Sequence, residues 1–159
     1  MEYRRIFADG YSYFLTLITY ERKPILIENI EHLRNAFRYS KKNYDYKIDA
    51  IVILPDHIHM IITPKTAKEY PKIISNIKRS FVYKTVGRGI LTPTIKDCKL
   101  NLSSSKYHRG NAGVWQERYY EHTIRDEKDW LEKMEYIKNN PIKHKLVENL
   151  NDWEFSSFT

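Results

Sequence analysis

Between Ile48 and Thr63 the chain reads IDAIVILPDHIHMIIT, two dense apolar runs split by a Pro-Asp dipeptide. Runs this rich in β-branched residues favour strands, and Pro55 with its fixed φ followed by Asp56 makes a turn. The reading is a hairpin of Ile48–Leu54 and His57–Thr63. Side chains alternate along a strand, so His57 and His59 share one face while Ile58, Met60 and Ile62 take the other. Any fold for this chain must bury one face of the hairpin and accommodate two imidazoles on the second. Two imidazoles side by side on a rigid strand form a half-site for a divalent cation, short of one further ligand. An ordinary hydrogen-bonded pair is the other reading, and spacing alone leaves both open.

The rest of the chain supplies elements to cover that hairpin. Tyr13–Tyr20 (YFLTLITY) is dense in β-branched and aromatic residues and reads as a strand. Glu28–Asn43 repeats Ile30, Leu33, Phe37 and Ser40 at helical spacing. A second helix opens at Pro71, with Ile73, Ile74, Ile77 and Phe81 on one face and Lys72, Asn76, Arg79 and Tyr83 on the other. Gly87–Gly113 contains Pro93 and Ser103-Ser104-Ser105 and reads as a long loop. A last helix begins near Asp126, capped by that residue with Asp129 three positions on, and is expected to stop around Asn140 because Pro141 follows. On its wheel Trp130, Leu131, Met134 and Ile137 form the apolar stripe, with Tyr136 and Asn140 one turn apart outside it. The order strand, helix, strand, strand, helix indicates one α+β domain over 1–159. It is expected to be a ferredoxin-like antiparallel sheet with helices on one face and the other face free for chemistry.

Charge narrows the partners. The formal net charge is +7, and it is concentrated: Lys65 to Arg109 holds eleven Lys/Arg against Glu69 and Asp97, so the remaining chain is slightly acidic. Basic residues interleaved with Tyr70, Phe81, Tyr83 and Tyr107 suit phosphate neutralisation with base stacking, although a solvated helix face has the same composition. Cys98 is the only cysteine, which excludes an internal disulfide framework and a cysteine-based zinc site. No apolar run approaches the roughly 18 residues of a membrane span, and Met1–Gly10 has no signal-peptide core, so a soluble cytoplasmic protein with no membrane partner is expected.

His57-Ile58-His59 resembles the His-hydrophobe-His signature of HUH enzymes, and Tyr136-Ile137-Lys138-Asn139-Asn140-Pro141 resembles the tyrosine helix of their single-tyrosine transposases. Val114 to Asp126 (VWQERYYEHTIRD) and Asp152 to Phe158 (DWEFSSF) are similar, more narrowly, to REP-associated tyrosine transposases. The resemblance runs from Tyr3-Arg4-Arg5 to Phe158. It implies an HUH endonuclease fold and metal-dependent cleavage and rejoining of single-stranded or hairpin DNA, at repeated palindromes or element ends. It further implies Tyr136 as nucleophile through a 5′-phosphotyrosine, and His57, His59 and Asn140 as ligands of Mg²⁺ or Mn²⁺. A phenol ordinarily ionises near ~10, so a cation at the scissile phosphate suits such a nucleophile. Lys72, Lys78, Arg79, Tyr83 and Arg118 are the candidate DNA contacts. Two departures stand out: the family often has glycine after its Asn-Pro-x-Lys-His run where this chain has Lys145, and the 87–113 segment is long. The alternative function is a non-catalytic nucleic-acid-binding module of the same fold, against which the intact His57, His59, Tyr136 and Asn140 argue. Monomer, with the tyrosine in cis, and homodimer, with it in trans, both remain open.

Overall fold

The computed structural model describes residues 9–87 and 113–158. Four strands, β1 (Ser12–Ile18), β2 (Tyr46–Ile53), β3 (His57–Pro64) and β4 (Tyr120–Ile124), form one sheet in the order β2-β3-β1-β4. Every pairing is antiparallel. Among the described residues the α-helices are α1 (Ile30–Asn43), α2 (Tyr70–Val82) and α3 (Glu127–Lys143), with a π-helical turn over Tyr83–Gly87 and short 3-10 turns elsewhere. The β-α-β-β-α-β succession with this strand order is the ferredoxin-like arrangement expected from the sequence.

Alternation along each strand divides the core in two. Tyr13, Leu15 and Leu17 of β1 and Ile58, Met60 and Ile62 of β3 meet Leu33, Ala36 and Phe37 of α1 and Ile73, Ile74, Ile77 and Phe81 of α2. The opposite parity, Phe14, Ala50, Val52, Ile61 and Ile124, packs with Leu54 against Ile137, Trp130 and Met134 of α3. So two helices cover one face as expected, and the third lies on the face that sequence reading kept free. A register shift between Ile48 and Ala50 makes both cores possible in β2. Ile48 and Ile51 can both face α1 and α2 because the extra residue of the bulge restores a parity that strict alternation would reverse.

Three local readings need correction. Helix α3 does not end at Asn140; it carries Pro141 inside it and runs on to Lys143. Proline in the final turn removes one N–H from a ladder about to end, and His144 N–H still bonds the Asn140 carbonyl at 3.0 Å. Leu131 is 56% exposed, and the buried stripe is instead carried by Ile137 and Pro141, with Trp130 and Met134 partly covered. β4 was not anticipated: it is an edge strand of five residues, short and polar enough to read as loop. The long-loop reading of Gly87–Gly113 falls, apart from its two ends, outside the described residues. No helix among the described residues is long and apolar enough to cross a membrane.

Candidate functional site

The β1–β3 register sets Thr16 directly opposite His59 and Ile18 opposite His57. Thr16 Oγ1 lies 2.8 Å from His59 Nδ1. One residue before the strand, Asp56 accepts a 2.5 Å hydrogen bond from His57 Nδ1. Asp56 is itself fixed by the hairpin turn, where its carbonyl receives the Thr19 N–H at 2.9 Å and the Thr19 hydroxyl at 3.0 Å. Each imidazole is thus held through Nδ1, and the tautomer that donates there leaves the Nε2 lone pair available to a ligand. This is the usual partner arrangement of a metal-binding histidine.

Electrostatics favour the same state. His57 is 4% and His59 5% exposed. Burial lowers the His57 pKa, opposed in part by the Asp56 hydrogen bond. For His59, burial first, and then the neighbouring His57, His144, Lys143 and Arg22, bring it from 6.5 down to about 3. Both rings are neutral at physiological pH, the form in which imidazole binds a cation.

Helix α3 brings the remaining groups. Asp126 caps it by accepting the Asp129 N–H at 2.8 Å, as expected. Asp129 in turn accepts from the Arg125 N–H at 3.2 Å and sits 2.7 Å from His122 Nε2, which ties the helix start to β4. Only Arg125 and Asp126 separate β4 from α3. With Ile137 fully buried against the sheet, Tyr136 on the helix shoulder stands edge-on to His59, ring centroids 5.1 Å apart, and to Phe14 at 5.8 Å. Tyr136 is 38% exposed, so the residue is open to solvent on the helix shoulder. Lys143 Nζ lies 4.8 Å from that ring.

Asn140, one turn further on, is completely buried, and neither its Oδ1 nor its Nδ2 has a hydrogen-bond partner among the described residues. A buried, unpaired amide costs about 1–3 kcal/mol and calls for an explanation. With two open Nε2 atoms on the neighbouring strand β3, a hard or borderline divalent cation fits the donor set: two imidazoles, one amide oxygen and open positions for substrate oxygens. No cluster of three or more His, Cys, Asp or Glu suited to a metal occurs among the described residues.

Sequence reading took His144 for a surface histidine more readily than for a residue that tunes the site, and it missed Arg22. His144 packs edge-on against His57 with centroids 5.0 Å apart, on the turn that ends α3. Arg22 sits beside Asp56 and His57, with Nη1 3.5 Å from Asp56 Oδ2 and from His57 Nδ1. It is delivered by two successive left-handed residues, Glu21 at φ 55° and Arg22 at φ 56°. Such backbone is costly for non-glycine residues and tends to persist at functional sites. Arg22 had no signal in its residue type; only the fold shows it.

The candidate DNA contacts divide. Lys78 is corrected: it is 6% exposed, its ammonium donates to the Gln116 carbonyl at 2.8 Å, and burial brings its pKa from 10.5 to about 8. It ties α2 to the segment before β4 and cannot grip phosphate from there. Lys72, Arg79 and Tyr83 are exposed, but on the outer side of α2, across the sheet from the histidines. Arg118 is exposed on the approach to β4. Trp115 belongs to the core, its indole N–H donating to the Lys78 carbonyl at 3.2 Å. Glu121 faces the α1–α2 side and accepts from the Tyr70 hydroxyl, away from the imidazoles.

Comparison with known proteins matches residues 8–88 to the family described as "Transposase IS200 like". A Haemophilus influenzae protein named as a REP-associated tyrosine transposase is 36% identical, covering 98% of this chain and 84% of its own length. An Escherichia coli REP-associated tyrosine transposase is 30% identical, over 99% of this chain and 82% of that protein. Among solved structures, a REP-associated tyrosine transposase bound to a REP hairpin superposes with a TM-score of 0.77 at 29% identity, covering 99% of this chain and 82% of that one.

Proposed function

The chain belongs to the REP-associated tyrosine transposases and to the wider IS200-like transposase family, and from that premise we propose that it cleaves and rejoins single-stranded or hairpin DNA through a covalent bond to Tyr136. The solved relative is bound to a REP hairpin, and we carry that substrate class over to this chain. The observation that carries the reading is the meeting of Tyr136 with His59 at 5.1 Å on one chain, beside the unpaired Asn140.

In the proposed step the Tyr136 Oη attacks a backbone phosphorus. The P–Oη bond forms, the P–O3′ bond breaks, and the phenol proton passes to solvent while the departing 3′ oxygen takes one up. The phosphodiester energy stays in the 5′-phosphotyrosine, so a 3′-hydroxyl on the same or another strand can reverse the step without a nucleotide cofactor. His57 Nε2, His59 Nε2 and Asn140 Oδ1 would hold Mg²⁺ or Mn²⁺. The bound cation would polarise the scissile phosphate and stabilise charge on its oxygens. Thr16 and Asp56 orient the two rings. Lys143, close to the Tyr136 ring, places a positive charge near the developing phenolate. Arg22, beside His57 with its guanidinium open to solvent, is placed to contact an incoming phosphate.

The test is a denaturing gel of end-labelled hairpin DNA with a pool of flanks, run with Mn²⁺ and with EDTA. Wild-type protein should give a covalent adduct in Mn²⁺ only, and Tyr136→Phe none. Cleavage that survives Tyr136→Phe assigns the nucleophile elsewhere. DNA bound across the pool but never cut returns the chain to a non-catalytic binding module.

A further inference from the structure

The cleavage face uses one side of the sheet. On the other, the outer surface of α1 and α2 carries an open groove of about 1060 Å³, at the upper end of ligand-sized cavities. Among the described residues its cations are Lys72, Arg79 and Lys84, and no Asp or Glu lines it. Tyr39 of α1 and Tyr83 at the end of α2 line it too, 51% and 59% exposed. Asn76 shares the lining, and its Oδ1 is hidden without a hydrogen-bond donor among the described residues.

Three cations without a carboxylate select an anion. Free phosphate or the outside of a duplex would engage the cations and leave the rings unused. Tyrosine faces interleaved with phosphate-binding side chains are instead what an unpaired strand requires, because only an unpaired base offers its π-face. An acidic peptide would satisfy the charges, but it gives the paired tyrosines no ring to stack on.

We propose that this groove binds an unpaired stretch of DNA, with bases stacked on Tyr39 and Tyr83 and phosphates on Lys72, Arg79 and Lys84. It is a second contact, separated by the sheet from the Tyr136 centre. The choice of DNA rests on the transposase reading; the stacking and charge argument does not. A substrate that fills both sites passes around an edge of the sheet, so the groove selects for single-stranded length beyond the point of cleavage.

The test is fluorescence anisotropy in EDTA with two labelled probes: an oligothymidylate of about 12 nucleotides, a length within the usual single-strand footprint, and a blunt duplex hairpin. Tyr39→Ala and Tyr83→Ala should each weaken the oligothymidylate about 5- to 150-fold, the range of one lost base stack. The duplex hairpin should change little, and Tyr39→Phe and Tyr83→Phe should retain binding, since the ring face persists. Photo-crosslinking with 5-iodouracil in the strand should label Tyr39 or Tyr83. Unchanged oligothymidylate affinity, equal losses on both probes, or competition by polyglutamate as effective as by DNA overturns the proposal. The Tyr136 adduct assay is scored separately. No adduct with tyrosine-dependent strand binding refutes the cleavage reading alone, and an adduct with tyrosine-independent binding refutes the groove alone.

Discussion

Asn140→Leu should make the metal-free protein more stable and the protein in Mn²⁺ relatively less so. Asn140 is fully buried with both amide atoms unpaired among the described residues. An unsatisfied buried polar group costs about 1–3 kcal/mol, and leucine branches at the same carbon while adding apolar burial beside Ile137 and Pro141. A net gain of about 2 kcal/mol is expected, allowing for some repacking. For a domain of this size that raises the melting temperature by about 4–8 °C. The measurement is thermal unfolding by circular dichroism, in EDTA and across a Mn²⁺ titration. Wild type should gain about 2.7 kcal/mol once Mn²⁺ reaches a hundred times its dissociation constant, because binding to the native state alone stabilises it. The leucine variant should gain little over the same range. A variant that melts lower than wild type in EDTA would show that Asn140 is already satisfied in the metal-free protein. An undiminished response to Mn²⁺ would remove Asn140 from the ligand set.

Further outcomes follow from single residues. Lys78, with its pKa brought down from 10.5 to about 8 chiefly by burial, binds fewer protons in the native than in the unfolded state between those values, so stability should rise with pH across that window. Lys78→Met should flatten this rise in urea-unfolding curves recorded from pH 7.5 to 10.5 relative to wild type. Lys145 occupies φ 57°, where its N–H bonds the Ile142 carbonyl at 2.9 Å and Leu146 N–H bonds that of Pro141 at 3.0 Å. Glycine tolerates that conformation without the Cβ clash, so Lys145→Gly should raise stability by about 0.5–1 kcal/mol, read as a higher urea midpoint.

Much of the molecule was legible because its signals are local. Alternation placed His57 and His59 on one face of β3, and the helical repeat in 28–43 and after Pro71 located α1 and α2 with their buried sides. Asp126 declared the start of α3 by its residue type. The signals failed where tertiary packing chose between near-equal local options. Leu131 looks as apolar as Met134, yet the packing of α3 on the sheet buries Pro141 and leaves Leu131 in solvent. Pro141 reads as a stop, but at the last turn it breaks only one bond. The bulge after Ile48 hides from any strict period of two. Lys78 reads as one more surface cation until the Gln116 carbonyl is placed beside it. His144 and Arg22 reach His57 from segments distant in sequence, and no spacing rule connects them. Where the family often carries glycine, Lys145 shows that the left-handed turn survives the change, with the backbone bonds of the helix end intact.

The two-residue link between β4 and α3 has a consequence for how copies of this protein behave in a mixture. So short a tether, with Asp126 and Asp129 locking its far end, keeps each tyrosine over the imidazoles of its own polypeptide. A molecule lacking Tyr136 and a molecule lacking His59 therefore have nothing to exchange, and combining the two should restore no cleavage. By the same logic, with DNA kept saturating, the yield of the proposed adduct per molecule should not fall as the protein is diluted, and a damaged copy should neither poison an intact one nor be rescued by it.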